Sequence, residues 1–313
     1  MSPLLSSATL LLAIGIAQQS AVSIADFRAA NQTDKVRVLN DIATARVTVA
    51  IDQVIPLVRA GLHDASADVR MSALSAVMGR AMAARRSGSS GSPMGPRPAP
   101  GSETPIIPAE WKGDGQALRD SLEDECLALL KSDPDDRVRH QALLAVVNLE
   151  LPRQPDGPLP ERLVAMFVDL YRLDRSVRIR AEVVKTFRLM PNGAPTMRAV
   201  LRDALVDTNA SIRHEGLSSI TPQATPASRR LSFDEARDTL ITALTHTDPG
   251  VRLGAVQALN VFGAPAAPYI DTLERLSTND PDPQVRTSAR LAIDAIQRAL
   301  RGLGIATAKV KSP

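Results

Sequence analysis

The 313-residue chain reads as an all-α fold, a stack of about six helical hairpins. Three observations predict this. A twelve-residue segment recurs six times with the same order of helix-capping, apolar and small residues. An amphipathic run precedes each copy. Aromatic residues make up only 3 % of a chain that is 44 % hydrophobic, a composition that suits close helix contacts through Ala and Leu.

The repeats are SADVRMSALSAV from Ser66, DDRVRHQALLAV from Asp135, DRSVRIRAEVVK from Asp174, NASIRHEGLSSI from Asn209, DPGVRLGAVQAL from Asp248 and DPQVRTSARLAI from Asp282. Aligned on the Val-Arg or Ile-Arg pair, all six begin with a residue type that accepts hydrogen bonds from the free N–H groups of a helix start. Pro249 and Pro283 follow at the first helical position, which needs no N–H. The apolar column is Val69, Val138, Val177, Ile212, Val251 and Val285. Four residues later stand Ala73, Ala142, Ala181, Gly216, Ala255 and Ala289. That spacing puts both columns on one helix face, and the small residue allows a neighbouring helix to approach.

The preceding runs are 51–62, 118–130, 161–173, 197–206, 234–245 and 267–276, each expected to pair with the capped helix after it. Pro56 should kink the first run or mark its start.

A two-helix unit of about 35–40 residues with D-x-x-V-R-x-x-A-x-x-A-L opening its second helix resembles the HEAT repeat. The short bacterial form of that repeat is grouped with phycobilin-lyase-like HEAT repeats. The resemblance covers residues 45–298 and implies an α-solenoid of about six HEAT-like hairpins with a concave inner surface. TDKVRVLNDI, from Thr33, resembles a seventh, degenerate copy, so 24–44 is expected to form capping helices.

Other segments frame the array. The run ATLLLAIGIA fits a signal-peptide core and is too short to span a bilayer, so 1–23 is expected to direct export to the periplasm or medium. It carries no Lys or Arg, which leaves a helical cap in the cytoplasm or an N-terminal membrane anchor as alternatives. No integral membrane domain is expected elsewhere. Residues 86–114 are dominated by Gly, Ser and Pro and should form no core helix, although Ile106, Ile107 and Trp111 could dock as an extended piece. The loops 151–159, 191–195 and 221–231 should project from one edge. The tail 299–313 is expected to be flexible.

Arg70, Arg139, Arg178, Arg213, Arg252 and Arg286 follow the apolar residue of every repeat. Within the resemblance they form a structural ladder, each reaching an Asp or a carbonyl of the adjacent hairpin. Arg172, Arg175, Arg180 and Arg188 are the candidate polyanion patch, against which stands a solvated face. The net charge of +3 does not by itself imply such a partner. HEAT-like DNA glycosylases read DNA with aromatic residues, and here only Trp111 stands in a loop, so nucleic acid is disfavoured.

Deoxyhypusine hydroxylases also resemble this chain in fold, and that resemblance implies a di-iron site built from four His-Glu pairs. Only His214-Glu215 supplies the pair; His140-Gln141 lacks the carboxylate, and the other repeats lack both. His63 and His246 fall in turns. Cys126 is the single cysteine, expected as a buried thiol. Ser232 with Glu235 reads as a capping box. No phosphate-binding Gly loop, nucleophile elbow or triad stands out, and no cofactor or metal is expected. The function read from this is a non-enzymatic scaffold with a protein partner; the alternatives are a lyase-like accessory handling a cofactor, and polyanion binding.

Overall fold

The computed structural model describes residues 22–44, 49–87, 113–150, 159–190, 193–221 and 230–304. The apolar N-terminal run, most of the 86–114 segment with Trp111, and the tail beyond 304 lie outside the described residues. The fold is all-α, of the α-solenoid class. It divides into two compact units, Met1–Leu151 and Pro152–Pro313.

Unit one holds α1 (Ile24–Ala29), α2 (Gln32–Ala43), α3 (Ile51–Leu62), α4 (Ala67–Ser87), α5 (Asp114–Ser132) and α6 (Asp136–Glu150). Helices α3 and α4, and α5 and α6, pair as hairpins, α1 packs on α3, and α2, α4 and α6 pack on one another in series. Helix α3 continues through Pro56, which lies inside it and does not mark its start. Val54 still donates to the Ala50 carbonyl, so the first turn is closed before the proline removes a donor.

Arg80 and Asp114 stand on either side of the 86–114 segment. Arg80 is buried, and its Nε donates to Asp114 Oδ2 at 2.6 Å, while Nη2 donates to the Val49 carbonyl at 2.6 Å. The pair therefore clamps α4 to the start of α5 wherever the intervening chain runs.

Unit two holds α7 (Glu161–Leu173), α8 (Val177–Leu189), α9 (Pro195–Leu205), α10 (Ala210–Leu217), α11 (Phe233–Ala243), α12 (Pro249–Phe262), a 3₁₀ helix (Ala264–Tyr269), α13 (Ile270–Asn279) and α14 (Pro283–Gly302). The second helices α8, α10, α12 and α14 again stack in series. The last predicted first helix, 267–276, begins later than its amphipathic pattern suggests. Gly263 at φ +65° ends α12, and Pro265 and Pro268 hold the next six residues in the tighter 3₁₀ form.

The caps correct the register of two repeats. Asn209, Asp248 and Asp282 cap their helices as expected, and the Asp135 carboxylate accepts the Arg137 N–H. In the third repeat the cap is Ser176, two residues beyond Asp174. Ile179 is then the buried apolar residue and Val183 takes the small-residue column, whereas Val177 and Ala181 are only half-buried. In the N-terminal copy the cap is Asn31 in place of Thr33, and its side chain accepts the Asp34 N–H. Both slips have one cause: the dipeptides Val36-Arg37 and Val177-Arg178 imitate the repeat signature two positions out of phase.

Gly216 shows why the small column matters. A Cβ there would lie 2.6 Å from the Ala204 carbonyl carbon, so α10 could not approach α9 as it does.

Candidate functional site

With the register corrected, one residue of each second helix stands four positions after its cap. These are Lys35, Arg70, Arg139, Arg180, Arg213, Arg252 and Arg286, and each N–H bonds the carbonyl of its cap residue. Arg178, expected in this row, is exposed; Arg180, expected in the polyanion patch, is the ladder residue. Lys35 replaces arginine in the N-terminal copy.

A second row lies two residues before the caps of the six repeats: Asp64, Asp133, Asp174, Asp207, His246 and Asp280. Each side chain accepts the N–H of the cap residue, at 2.7 to 3.0 Å. The carboxylates also take the cation of the preceding hairpin. Lys35 Nζ lies 2.9 Å from Asp64. Arg70 donates to both oxygens of Asp133, at 2.7 and 3.0 Å. Arg180 stands 3.7 Å from Asp207. Arg252 donates to both oxygens of Asp280 at 2.7 Å. The arginines turn their third nitrogen onto their own turn, as Arg252 Nη1 does on the His246 and Thr247 carbonyls. One carboxylate thus caps a helix, closes a turn and ties two hairpins together.

The electrostatics follow. The Arg252 guanidinium holds the Asp280 carboxyl below its ordinary range, against a burial effect that would raise it. Burial alone would raise Asp64, but Lys35 and the Ser66 N–H outweigh it and leave it lowered.

The four residues of the candidate polyanion patch do not act as one group. Arg172 and Arg175 are exposed at the α7–α8 turn. Arg180 belongs to the ladder. Arg188, at the far end of α8, stands 3.5 Å from Glu215. Glu215 is thereby engaged with a guanidinium, and His214 beside it is exposed. In the corrected register the third repeat contributes Ala181-Glu182 to this column, and Glu182 pairs with Lys185 at 3.3 Å. Among the described residues no group of three or more His, Cys, Asp or Glu side chains is placed to hold a metal ion.

Two open clefts sit at the turns. In unit two a cleft of about 680 Å³ is walled by Tyr171, Asp203, Asp207, Asp238 and His246. Burial pushes the Tyr171 phenol well above its ordinary range, reinforced by Asp207, to which its hydroxyl donates at 3.4 Å. Burial likewise raises Asp203, against the pull of Arg202 and Arg172. In unit one a cleft of about 580 Å³ lies among Ile24, Phe27, Pro56, Arg59 and His63. Sequence reasoning noted His63 and His246 as turn residues and missed both clefts. The acidic row that borders the first was visible as aspartates two residues before each cap. Ser232 and Glu235 form the expected capping box, and Arg198 grips Glu235 at 2.5 and 2.7 Å.

Capped hairpins tied by a repeating cation–carboxylate ladder define the class: an α-helical repeat protein. Residues 223–294 match a family model described as HEAT repeats. Over that stretch, less than a quarter of its length, the chain is similar to HEAT repeats. No curated protein sequence matches it. Among solved structures it is similar to a Kap121p mutant, at 17 % identity and a TM-score of 0.51, over 94 % of this chain and 30 % of that one. It is also similar to an archaeal HEAT-like repeats protein from Thermococcus onnurineus NA1, at 12 % identity and a TM-score of 0.41, over 90 % of this chain and 100 % of that one. Human deoxyhypusine hydroxylase matches at 20 % identity and a TM-score of 0.33, over 93 % and 89 % of the two chains. Identity at this level bears on the fold alone.

Proposed function

We propose that the chain is a non-enzymatic scaffold that binds another protein. The observation that supports this most is how the repeat divides its labour. Cap, turn carboxylate, ladder cation, apolar residue and small residue recur from hairpin to hairpin and hold the stack. The next two positions vary more: Met71-Ser72, His140-Gln141, Ala181-Glu182, His214-Glu215, Leu253-Gly254 and Thr287-Ser288 are six different pairs, of which Ser72 and Gly254 are buried. A fixed frame with a varying, partly exposed column suits recognition of a partner surface. It does not suit a reaction, which needs particular groups brought together.

The purified full chain tests the reading against its competitors. Absorbance spectra and metal analysis are expected to show no coloured cofactor and no stoichiometric metal. Titration with heparin or duplex DNA is expected to show no saturable binding at physiological salt. A bound chromophore or metal would favour the cofactor-handling class. Salt-sensitive binding lost on charge reversal at Arg172 and Arg175 would favour the polyanion class.

The same proposal places the protein outside the cytoplasm, on the strength of the ATLLLAIGIA run. Among the described residues no helix is long and apolar enough to cross a membrane. The mature chain is expected to begin near Gln18 or Ile24; N-terminal sequencing that finds Met1 in the cytosolic fraction overturns the assignment.

A further inference from the structure

The turns of unit two carry a knob and a cleft side by side. The knob is the α7–α8 turn. Leu173 there is 78 % exposed, the highest value among the large apolar side chains of the described residues. The stack does not need it: Thr245 and Asn279 hold the same place in the last two hairpins, one residue before His246 and Asp280. Arg172, Arg175 and Arg178 flank it and are exposed. Among the described residues none of the three guanidinium groups makes a hydrogen bond or an ion pair.

The cleft of about 680 Å³ adjoins the knob through Tyr171. Tyr171, Ala243 and Val251 in its wall are nearly buried, whereas Asp203 and Asp238 are exposed. Asp207 is engaged by the Asn209 N–H and by Arg180. Asp203 is not engaged: among the described residues its carboxylate makes no hydrogen bond or ion pair. Its surroundings nevertheless shield it enough to raise its pKa, against the pull of Arg202 and Arg172. Asp238 meets only Arg237, at 3.1 Å and in full contact with solvent. A shielded carboxylate without a bonded cation gains from a guanidinium brought from outside. A polyanion has no use for Leu173, and a small cation has no use for Tyr171 and Val251. An apolar side chain flanked by guanidinium groups fits this cleft, and the chain itself carries that combination one turn away.

We propose that two copies of this chain pair through the turns of unit two, the Leu173 knob of each entering the Asp203–Asp238 cleft of the other. Such a pairing is isologous: every contact is made twice about one two-fold axis, so assembly closes at a dimer. Leu173 leaves water against Tyr171 and Val251 of the second copy, while Arg172 and Arg175 bring donors to its Asp203 and Asp238.

Sedimentation equilibrium on the full chain tests this. The wild type is expected to be half dimeric at about 10–100 µM, and at least about tenfold weaker in about 0.5 M salt. Leu173→Asp should be monomeric. So should Arg172→Glu combined with Arg175→Glu, and Asp203→Lys combined with Asp238→Lys. Unfolding midpoints should stay unchanged, because every substituted side chain is exposed. The two charge-reversed chains mixed in equal amounts should dimerise again, since each knob then meets a cleft of opposite charge. A wild type still monomeric at about 1 mM overturns the dimer and leaves the scaffold reading with a foreign partner. A dimer that both charge reversals leave intact, or a mixture that stays monomeric, overturns it as well.

Discussion

Arg252 and Asp280 meet through two guanidinium hydrogen bonds of 2.7 Å, and Asp280 simultaneously accepts the Asp282 N–H at 2.9 Å. Both side chains are almost wholly buried. Removing the cation leaves a buried carboxylate without its counter-charge, which costs about 3–5 kcal/mol. Arg252→Leu should therefore lower stability by about 3 kcal/mol in urea unfolding followed by circular dichroism. Among the described residues Arg286, the last of the row, bonds only the Asp280 and Pro281 carbonyls. Arg286→Leu should cost about 1 kcal/mol. Equal losses in the two variants would show that the interhairpin bond contributes nothing.

The register of the third repeat makes a sharper comparison. Arg178 is exposed, so Arg178→Ala should change stability by less than about 0.5 kcal/mol. Arg180 carries the ion pair to Asp207 and a half-buried stem, so Arg180→Ala should cost about 1 kcal/mol. The reverse order in thermal or urea unfolding would restore the Val177-Arg178 alignment.

Acid should act through Glu235. The Arg198 guanidinium chiefly, helped by the Ser232 N–H and hydroxyl, holds its carboxyl at about 2 in the folded protein, against an ordinary value of 4.5. A lowered folded value contributes stability that is complete above pH 4.5 and is lost as pH falls toward 2. Wild type should therefore be more stable than Glu235→Gln at neutral pH, and the two unfolding midpoints should converge between pH 4.5 and about 2. A difference that persists unchanged to pH 2 would assign the effect to packing.

Cys126 reports on unit one. Its thiol is buried and pushed up to about 12, by desolvation first and then by Glu125 and Glu123. The thiolate needed for alkylation is thus nearly absent in the native state. Iodoacetamide at pH 8 should modify the native chain at least about a thousandfold more slowly than the unfolded chain, at a rate set by opening of the unit. Fast native labelling would contradict the buried assignment.

The hairpins were legible because each second helix begins with a cap and continues with a small residue, signals that are local in sequence. The first helices of four hairpins were found to within about two residues from amphipathic spacing, and α5 starts four residues before its run, at Asp114. Misreading came where a local signal was duplicated: Val36-Arg37 and Val177-Arg178 have the repeat's signature, and only the burial of Ile179 and Val38 and the caps at Ser176 and Asn31 exclude them. The carboxylate row was present in the sequence as Asp64, Asp133, Asp174, Asp207 and Asp280. Its pairing with the ladder cations was not, because the partners stand 27 to 63 residues apart and meet only after the hairpins stack. The gap at His246 was invisible for the same reason: a histidine in a turn has no meaning until the row it interrupts is known.

The scaffold assignment is tested most directly by reconstituting a complex. The full chain, used as bait in extracts of its native host, supplies candidate partners by mass spectrometry, and each is then purified and titrated into the purified chain by calorimetry. The prediction is a saturable complex of fixed stoichiometry that survives 0.5 M salt and is weakened at least about tenfold by substitution in the varying column, at His214-Glu215 or Leu253, with unfolding midpoints unchanged. A chain that binds no purified candidate, and turns over or retains a small molecule from the same extract, would contradict it.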